Sequence, residues 1–163
     1  MTIAFEDALE DRNWRVESCS IAMSMDVIGT RSSMLVLREA LYGTTRFDDF
    51  VRRTKSTEAI VAARLKHLTD AGLFEKQPYK EEGKRTRYEY VLTQKGSDLM
   101  PAVFALMQWG NRYLQPDHGP LRLIERDTGA TVVIGPQSES GKQLGVDDLA
   151  IAANGDWAET QTT

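Results

Sequence analysis

A chain of 163 residues, 41% hydrophobic and 27% charged, has enough apolar material for one core with a small appendage, the balance of an ordinary globular protein. No apolar run approaches the ~20 residues that a membrane helix needs, and the acidic N-terminal stretch lacks the basic and apolar regions of a signal peptide, so a cytoplasmic location without a membrane partner is expected. A single cysteine, Cys19, and two histidines, His67 and His118, exclude an internal disulfide framework and a multi-thiolate zinc site, so neither a metal nor a cofactor is expected.

Residues 5–17 form an acidic, loosely amphipathic segment that reads as a helix or ordered arm anchored by Trp14. Apolar residues at Ile21, Met25 and Ile28 recur at helical spacing and predict a helix over 19–28 closed by Gly29. Thr30 or Ser32 then caps a second, largely buried helix carrying Met34, Leu35, Leu37 and Leu41, stopped by Gly43. Arg46 and Phe47 read as a one-bridge strand leading into a short helix over 48–54, in which Phe47, Phe50 and Val51 face inward.

The stretch 54–93 organises the rest. Ser56 and Thr57 supply N-cap chemistry, and Val61, Leu65 and Leu68 at i, i+4, i+7 form one buried stripe, opposite Ala59, Ala62, Ala63 and Lys66. Gly72 ends this helix. Two short alternating runs, 73–79 and 87–92, follow around a polar tip at 80–86 with Gly83 for the turn. Two helices joined through Thr54, Lys55 and Ser56, then strand, basic tip and strand, are the plan of a winged helix-turn-helix. Such a unit sets a helix with small side chains in a DNA major groove and lets a cationic hairpin reach a phosphate or minor groove.

The charge is distributed to suit that reading. The total of −4 alone speaks against nucleic acid, yet residues 44–96 hold 12 Lys and Arg against 8 Asp and Glu, a net of +4, and the remainder carries −8. Phosphate affinity comes from local cations that release counterions, so the patch outweighs the total.

Residues 94–114 give the longest helical pattern, with Leu99, Val103, Leu106, Met107, Tyr113 and Leu114 on a broad stripe and Trp109 beside it. Pro101 lies inside, so the helix either starts there or bends just before it. From Gln115 the composition changes: Pro116, Gly119 and Pro120 mark a linker over 115–120. Residues 121–126 and 130–134 around Asp127, Thr128 and Gly129 read as a β-hairpin. A polar loop over 137–143 precedes one more candidate strand within 148–153, and the last residues, 157–163, read as a disordered tail. The expected class is α+β: a mainly α winged helix-turn-helix domain over 19–114, preceded by an arm over 1–18 and followed by a small β-rich extension over 121–153 and a tail over 154–163.

Several of these segments occur together in one order: Cys19, the run Asp26 to Gly29, Leu35 to Leu41, Arg46 and Phe47, Arg64 to Leu68, Ala71 to Leu73, Tyr88 to Tyr90, Leu92 and Thr93, and Trp109 with Gly110. In that order and at those separations they resemble the HxlR-type helix-turn-helix regulators, a branch of the bacterial winged-helix repressors related in architecture to the MarR group. The resemblance implies a homodimeric one-component transcription factor, with the dimer built from the first helix and the long helix after the wing. It places Arg64 at the arginine kept inside the family's recognition helix and Cys19 at an N-terminal cysteine that some members use as a thiol redox sensor. The family's recognition helix usually opens with a serine-proline pair and carries further basic residues. Here Thr57, Glu58 and alanines stand instead.

The candidate DNA-binding residues are therefore Thr57, Ala59, Ala62, Ala63, Arg64 and Lys66 on the reading helix, Lys84, Arg85 and Arg87 on the wing, and Arg53 and Lys55 before the helix. The bland readings are a solvated helix face, a solubilising hairpin tip and a charged helix end. Ile21, Met25, Leu99, Val103, Leu106, Met107, Trp109 and Tyr113 are the candidate dimer interface, with a ligand cavity as the alternative use of the last helix. Cys19 is a candidate redox sensor, set against simple packing among Met23 and Met25. Enzyme motifs are missing: no Gly-rich phosphate loop, nucleophile elbow or metal cluster occurs, and His67 reads as a packing or phosphate-side residue. The expected function is a dimeric repressor-type regulator of a pseudo-palindromic double-stranded operator, answering to a small molecule or an oxidant. The alternative is a winged-helix protein-interaction module without DNA binding.

Overall fold

The computed structural model describes residues 3–6, 9, 16–83 and 85–154, so Trp14, Lys84 and the tail over 157–163 lie outside the described residues. In chain order the elements are strand β1 (Ala4–Phe5), helices α1 (Ser20–Ile28), α2 (Arg31–Leu41), α3 (Phe47–Thr54) and α4 (Glu58–Asp70), then strands β2 (Phe74–Tyr79) and β3 (Arg87–Leu92). Helices α5 (Gln94–Ser97) and α6 (Met100–Tyr113) follow, and strand β4 (Ala150–Ile151) comes last. The chain divides into two compact units, Ser24–Val132 and a second made of Met1–Met23 with Val133–Thr163.

The core of the first unit is Ile28, Val36, Leu37, Phe50, Val61, Leu65, Leu68, Leu73 and Phe74. It is the inner face of α2, α3 and α4 closed by the root of the β2–β3 hairpin, where Phe50 meets Phe74 edge to face at 6.3 Å between ring centroids. Local chemistry supports each boundary. Thr30 caps α2, its Oγ1 accepting from Ser33 N at 3.1 Å, and Thr57 caps α4 by accepting from Ile60 N. At the end of α4, Gly72 takes φ +78° while its N–H donates to Thr69 O and Leu73 N–H to Leu68 O, a Schellman closure that turns the chain directly into the wing.

Helix α5 is brief because Pro101 has no N–H to continue the ladder onto Ser97, so the helical path breaks at Asp98 and Leu99 and restarts with Pro101 in the first turn of α6. Gly96 sits at this joint, where an added Cβ would lie 2.3 Å from the Leu73 carbonyl oxygen. Leu73 O also accepts from Thr93 N, and Thr93 Oγ1 donates to Gly72 O at 2.7 Å, so the wing root, the end of α4 and α5 are tied in one knot.

Three expectations are revised. The segment expected as a helix or ordered arm over 5–17 begins as strand: Phe5, with Ala4 before it, pairs in parallel with Ile151 and Ala150, the strand expected within 148–153. The helical spacing there was loose, and a two-residue strand leaves no periodic signal. Residues 121–134 do not form a full hairpin but close through one bridge, Ile124 to Thr131, with Glu125 N donating to Ala130 O at 2.8 Å. Leu121 and Ile124 remain exposed, so no apolar layer rewards a longer ladder. Compactness also does not change at the 115–120 linker. Gln108 Nε2 and Asn111 Nδ2 on α6 each donate at 2.7 Å to the carbonyls of Val132 and Leu121, which keeps that stretch within the first unit.

Candidate nucleic-acid interface

Helix α4 presents two faces. Val61, Leu65 and Leu68 are wholly buried, and Ala59, Ala62, Ala63 and Lys66 are exposed on the opposite side as the pattern predicts. Ile60, also exposed, joins them; its position outside the inward stripe was the only sequence signal for it. Arg64 is half-buried between exposed Ala63 and buried Leu65, and among the described residues its side chain makes no ion pair or hydrogen bond. Lys66 pairs with Asp70 one turn on, an exposed contact worth about 0–0.5 kcal/mol that yields readily to a stronger anion. His67 Nε2 lies 3.0 Å from the Val27 carbonyl oxygen, a packing role at the end of α1.

The α3–α4 link is tight because Lys55 adopts a left-handed conformation, φ +52°. Arg53 and Lys55 are both exposed at this turn, beside the Thr57 cap. Arg52, by contrast, is paired with Asp49 on its own helix.

The wing is a regular antiparallel ladder from Phe74 opposite Leu92 to Tyr79 opposite Arg87. It is braced against the start of α3. Arg46 bridges to Glu89 in the backbone, lays its guanidinium 4.7 Å from the Tyr79 ring centroid and donates to Glu81 Oε1 at 2.9 Å. Arg46 is thus a structural cation, a role the one-bridge reading of its position did not reveal. Arg87, expected to contact DNA, faces Asp48 at 3.5 Å, so it shares its charge with the brace. Arg85 is exposed and has no ion-pair partner among the described residues. Lys84 lies outside them.

The candidate interface residues on α6 separate by face. Val103 is buried in the chain itself, as is its neighbour Phe104, and Leu99, the cap residue before α6, packs against the core, so the candidates Val103 and Leu99 are not available to a partner. Met107 is half-buried, with Tyr42 Oη 3.7 Å from its sulfur. Leu106, Trp109 and Tyr113 are 58%, 54% and 60% exposed, with the Trp109 and Tyr113 rings tilted at 48° and 5.7 Å between centroids. On α1, Ile21 and Met25 are exposed as well. Cys19 is half-buried immediately before α1, with its carbonyl accepting from Met23 N. No helix among the described residues is long and apolar enough to cross a membrane.

Residues 27–118 match the family model of the HxlR-like helix-turn-helix. An uncharacterised HTH-type transcriptional regulator of Mycobacterium tuberculosis is 36% identical over 123 residues, covering 75% of this chain and 77% of the relative. Another from Methanothermobacter thermautotrophicus is 34% identical over 96 residues, 58% of this chain and 72% of its own length. Among solved structures, PA1607, described as a candidate transcription factor, superposes with a TM-score of 0.73 at 36% identity, covering 85% of this chain and 97% of its own. The reduced form of the redox regulator HypR does so at 0.52 and 27% identity, covering 59% and 96%. A winged unit with an open reading helix, matched by sequence and by architecture, places the chain in the HxlR-like helix-turn-helix family, among HTH-type transcriptional regulators.

Proposed function

We propose that the chain is a dimeric, sequence-specific DNA-binding repressor, with α4 lying in the major groove and the wing gripping the flanking backbone. The observation that carries this is the pairing of an exposed, small-residue face on α4 with a local net charge of +4 over residues 44–96, in a chain whose total is −4. Small side chains let the helix backbone approach base edges closely. Lys66 and Arg85 supply charge, and Arg53 and Lys55 approach the phosphates from the α3–α4 turn. The exposed Leu106, Trp109 and Tyr113 of α6 and Ile21 and Met25 of α1 meet a second copy. Two-fold symmetry then calls for a pseudo-palindromic operator with half-sites about one helical turn apart.

A gel shift against the DNA upstream of the chain's own gene tests the reading. Retarded, competitor-resistant complexes with footprints in two symmetric halves are expected. A protein that is dimeric yet leaves every duplex unshifted at low salt would favour the interaction-module alternative.

HypR is a redox regulator, and its likeness to this chain supports an oxidant input at Cys19. In that event a peroxide oxidises the thiolate to a sulfenic acid and is itself reduced to water. DNA affinity that changes on peroxide treatment of the wild type and stays constant in Cys19→Ser is the expected result. The same response in both proteins removes Cys19 from the signal path.

A further inference from the structure

The start of α2 and the first turns of α4 face each other across an open groove of about 460 Å³. Arg31 and Ser32 stand on the α2 side, and Ser56, Ala59, Ala63 and Arg64 on the other; no carboxylate lines it. By contrast, Arg38, Arg46, Arg52, Arg87 and Lys66 elsewhere in this unit are each paired with an acidic side chain. Among the described residues, the side chain of neither Arg31 nor Arg64 makes an ion pair or hydrogen bond. Two uncommitted guanidinium groups and two hydroxyls around an acid-free opening suit an oxyanion, which guanidinium forks bind in bidentate fashion.

The neighbouring surface identifies the anion. Ala59 and Ala63 belong both to this groove and to the outer face of α4, so an anion seated here lies alongside whatever α4 reads. Arg64 follows Ala63 by about 100° around the helix and leads into buried Leu65, which turns it away from the outer face and toward α2. We propose that the groove seats a backbone phosphodiester of the duplex read by α4, with Arg31 and Arg64 as its two cationic jaws. Arg64 then sets register through the backbone and does not read a base. This rests on the DNA-binding reading above and assigns Arg31 and Ser32, which that reading left aside.

The test is fluorescence anisotropy with a labelled mixed-sequence duplex and a panel of sequence variants, across a salt series. Arg31→Gln and Arg64→Gln are each expected to reduce the slope of log K against log salt by about one unit while leaving the rank order of the panel intact. Arg31→Lys restores most of the slope, because a point charge remains. A slope in Arg31→Gln equal to that of the wild type overturns the groove assignment, as does an Arg64→Gln protein that keeps its slope but changes its base preference. Stabilisation of the wild type by inorganic phosphate, lost in Arg31→Gln with the DNA slope unchanged, assigns the groove to a free anion and overturns it too. A wild type that binds no duplex at low salt removes the DNA-binding reading itself, an outcome distinct from all of these.

Discussion

Helices α4 and α6 have nearly the same length, 13 and 14 residues, and each carries an apolar stripe, yet they end in opposite circumstances. The stripe of α4 is satisfied inside one chain: Val61, Leu65 and Leu68 are fully buried, and the other face is left free for small and cationic residues. On α6, Val103 and Phe104 are buried within the chain, outside the cluster that α4 helps to form, while Leu106, Trp109 and Tyr113 stand open to solvent. An exposed cluster containing Trp and Tyr is the composition of an interface centre and not of an ordinary solvated face. One helix closes its stripe within the chain, and the other leaves part of its stripe open to solvent.

The sharpest way to break this comparison is to damage each helix where it is said to matter. Leu65→Ala opens a cavity in the reading unit and is expected to cost about 2–5 kcal/mol of folding stability by denaturant titration. Trp109→Lys is expected to weaken self-association by about 2 kcal/mol or more, seen as a shift to monomer in sedimentation velocity, with the monomer's denaturation midpoint changed little. If Trp109→Lys instead unfolds the chain without altering its mass in solution, α6 belongs to the monomer core and the contrast fails. Thr57→Ala removes the cap of α4 and should cost about 1 kcal/mol, because Ile60 N loses its hydroxyl acceptor. Lys66→Ala is the smallest perturbation, within about 0.5 kcal/mol in stability because its partner Asp70 is exposed too, while DNA affinity falls.

What the sequence disclosed followed signal strength. The cap regions, Thr30 or Ser32 before α2 and Ser56 with Thr57 before α4, the inward stripe of α4, the glycine stop at Gly72 and the β2–β3 hairpin were legible because each combines a period with punctuation residues at its ends. Pro101 announced a break without saying which of two forms it takes. The β1–β4 pairing joins residues at opposite ends of the chain through two positions each, and no local pattern encodes such a contact. At the candidate site, exposed small residues on α4 could be read by elimination from the buried stripe. Arg46 and Arg31 could not, since whether an arginine is braced by Glu81 and Tyr79 or left open in a groove depends on neighbours far away in sequence. The stripe on α6 was read as one surface because a helical period cannot tell intrachain burial from burial between chains.

The claim on which the rest stands is that the cations of the reading unit, and not the total charge, govern the encounter with DNA. Salt titration of duplex binding by the wild type and by Arg85→Ala, whose side chain has no ion-pair partner among the described residues, tests it most directly. The account predicts tight binding at low salt and a slope shallower by about one unit in the variant. Identical slopes for the two proteins, or wild-type binding that does not weaken as salt rises, would contradict it.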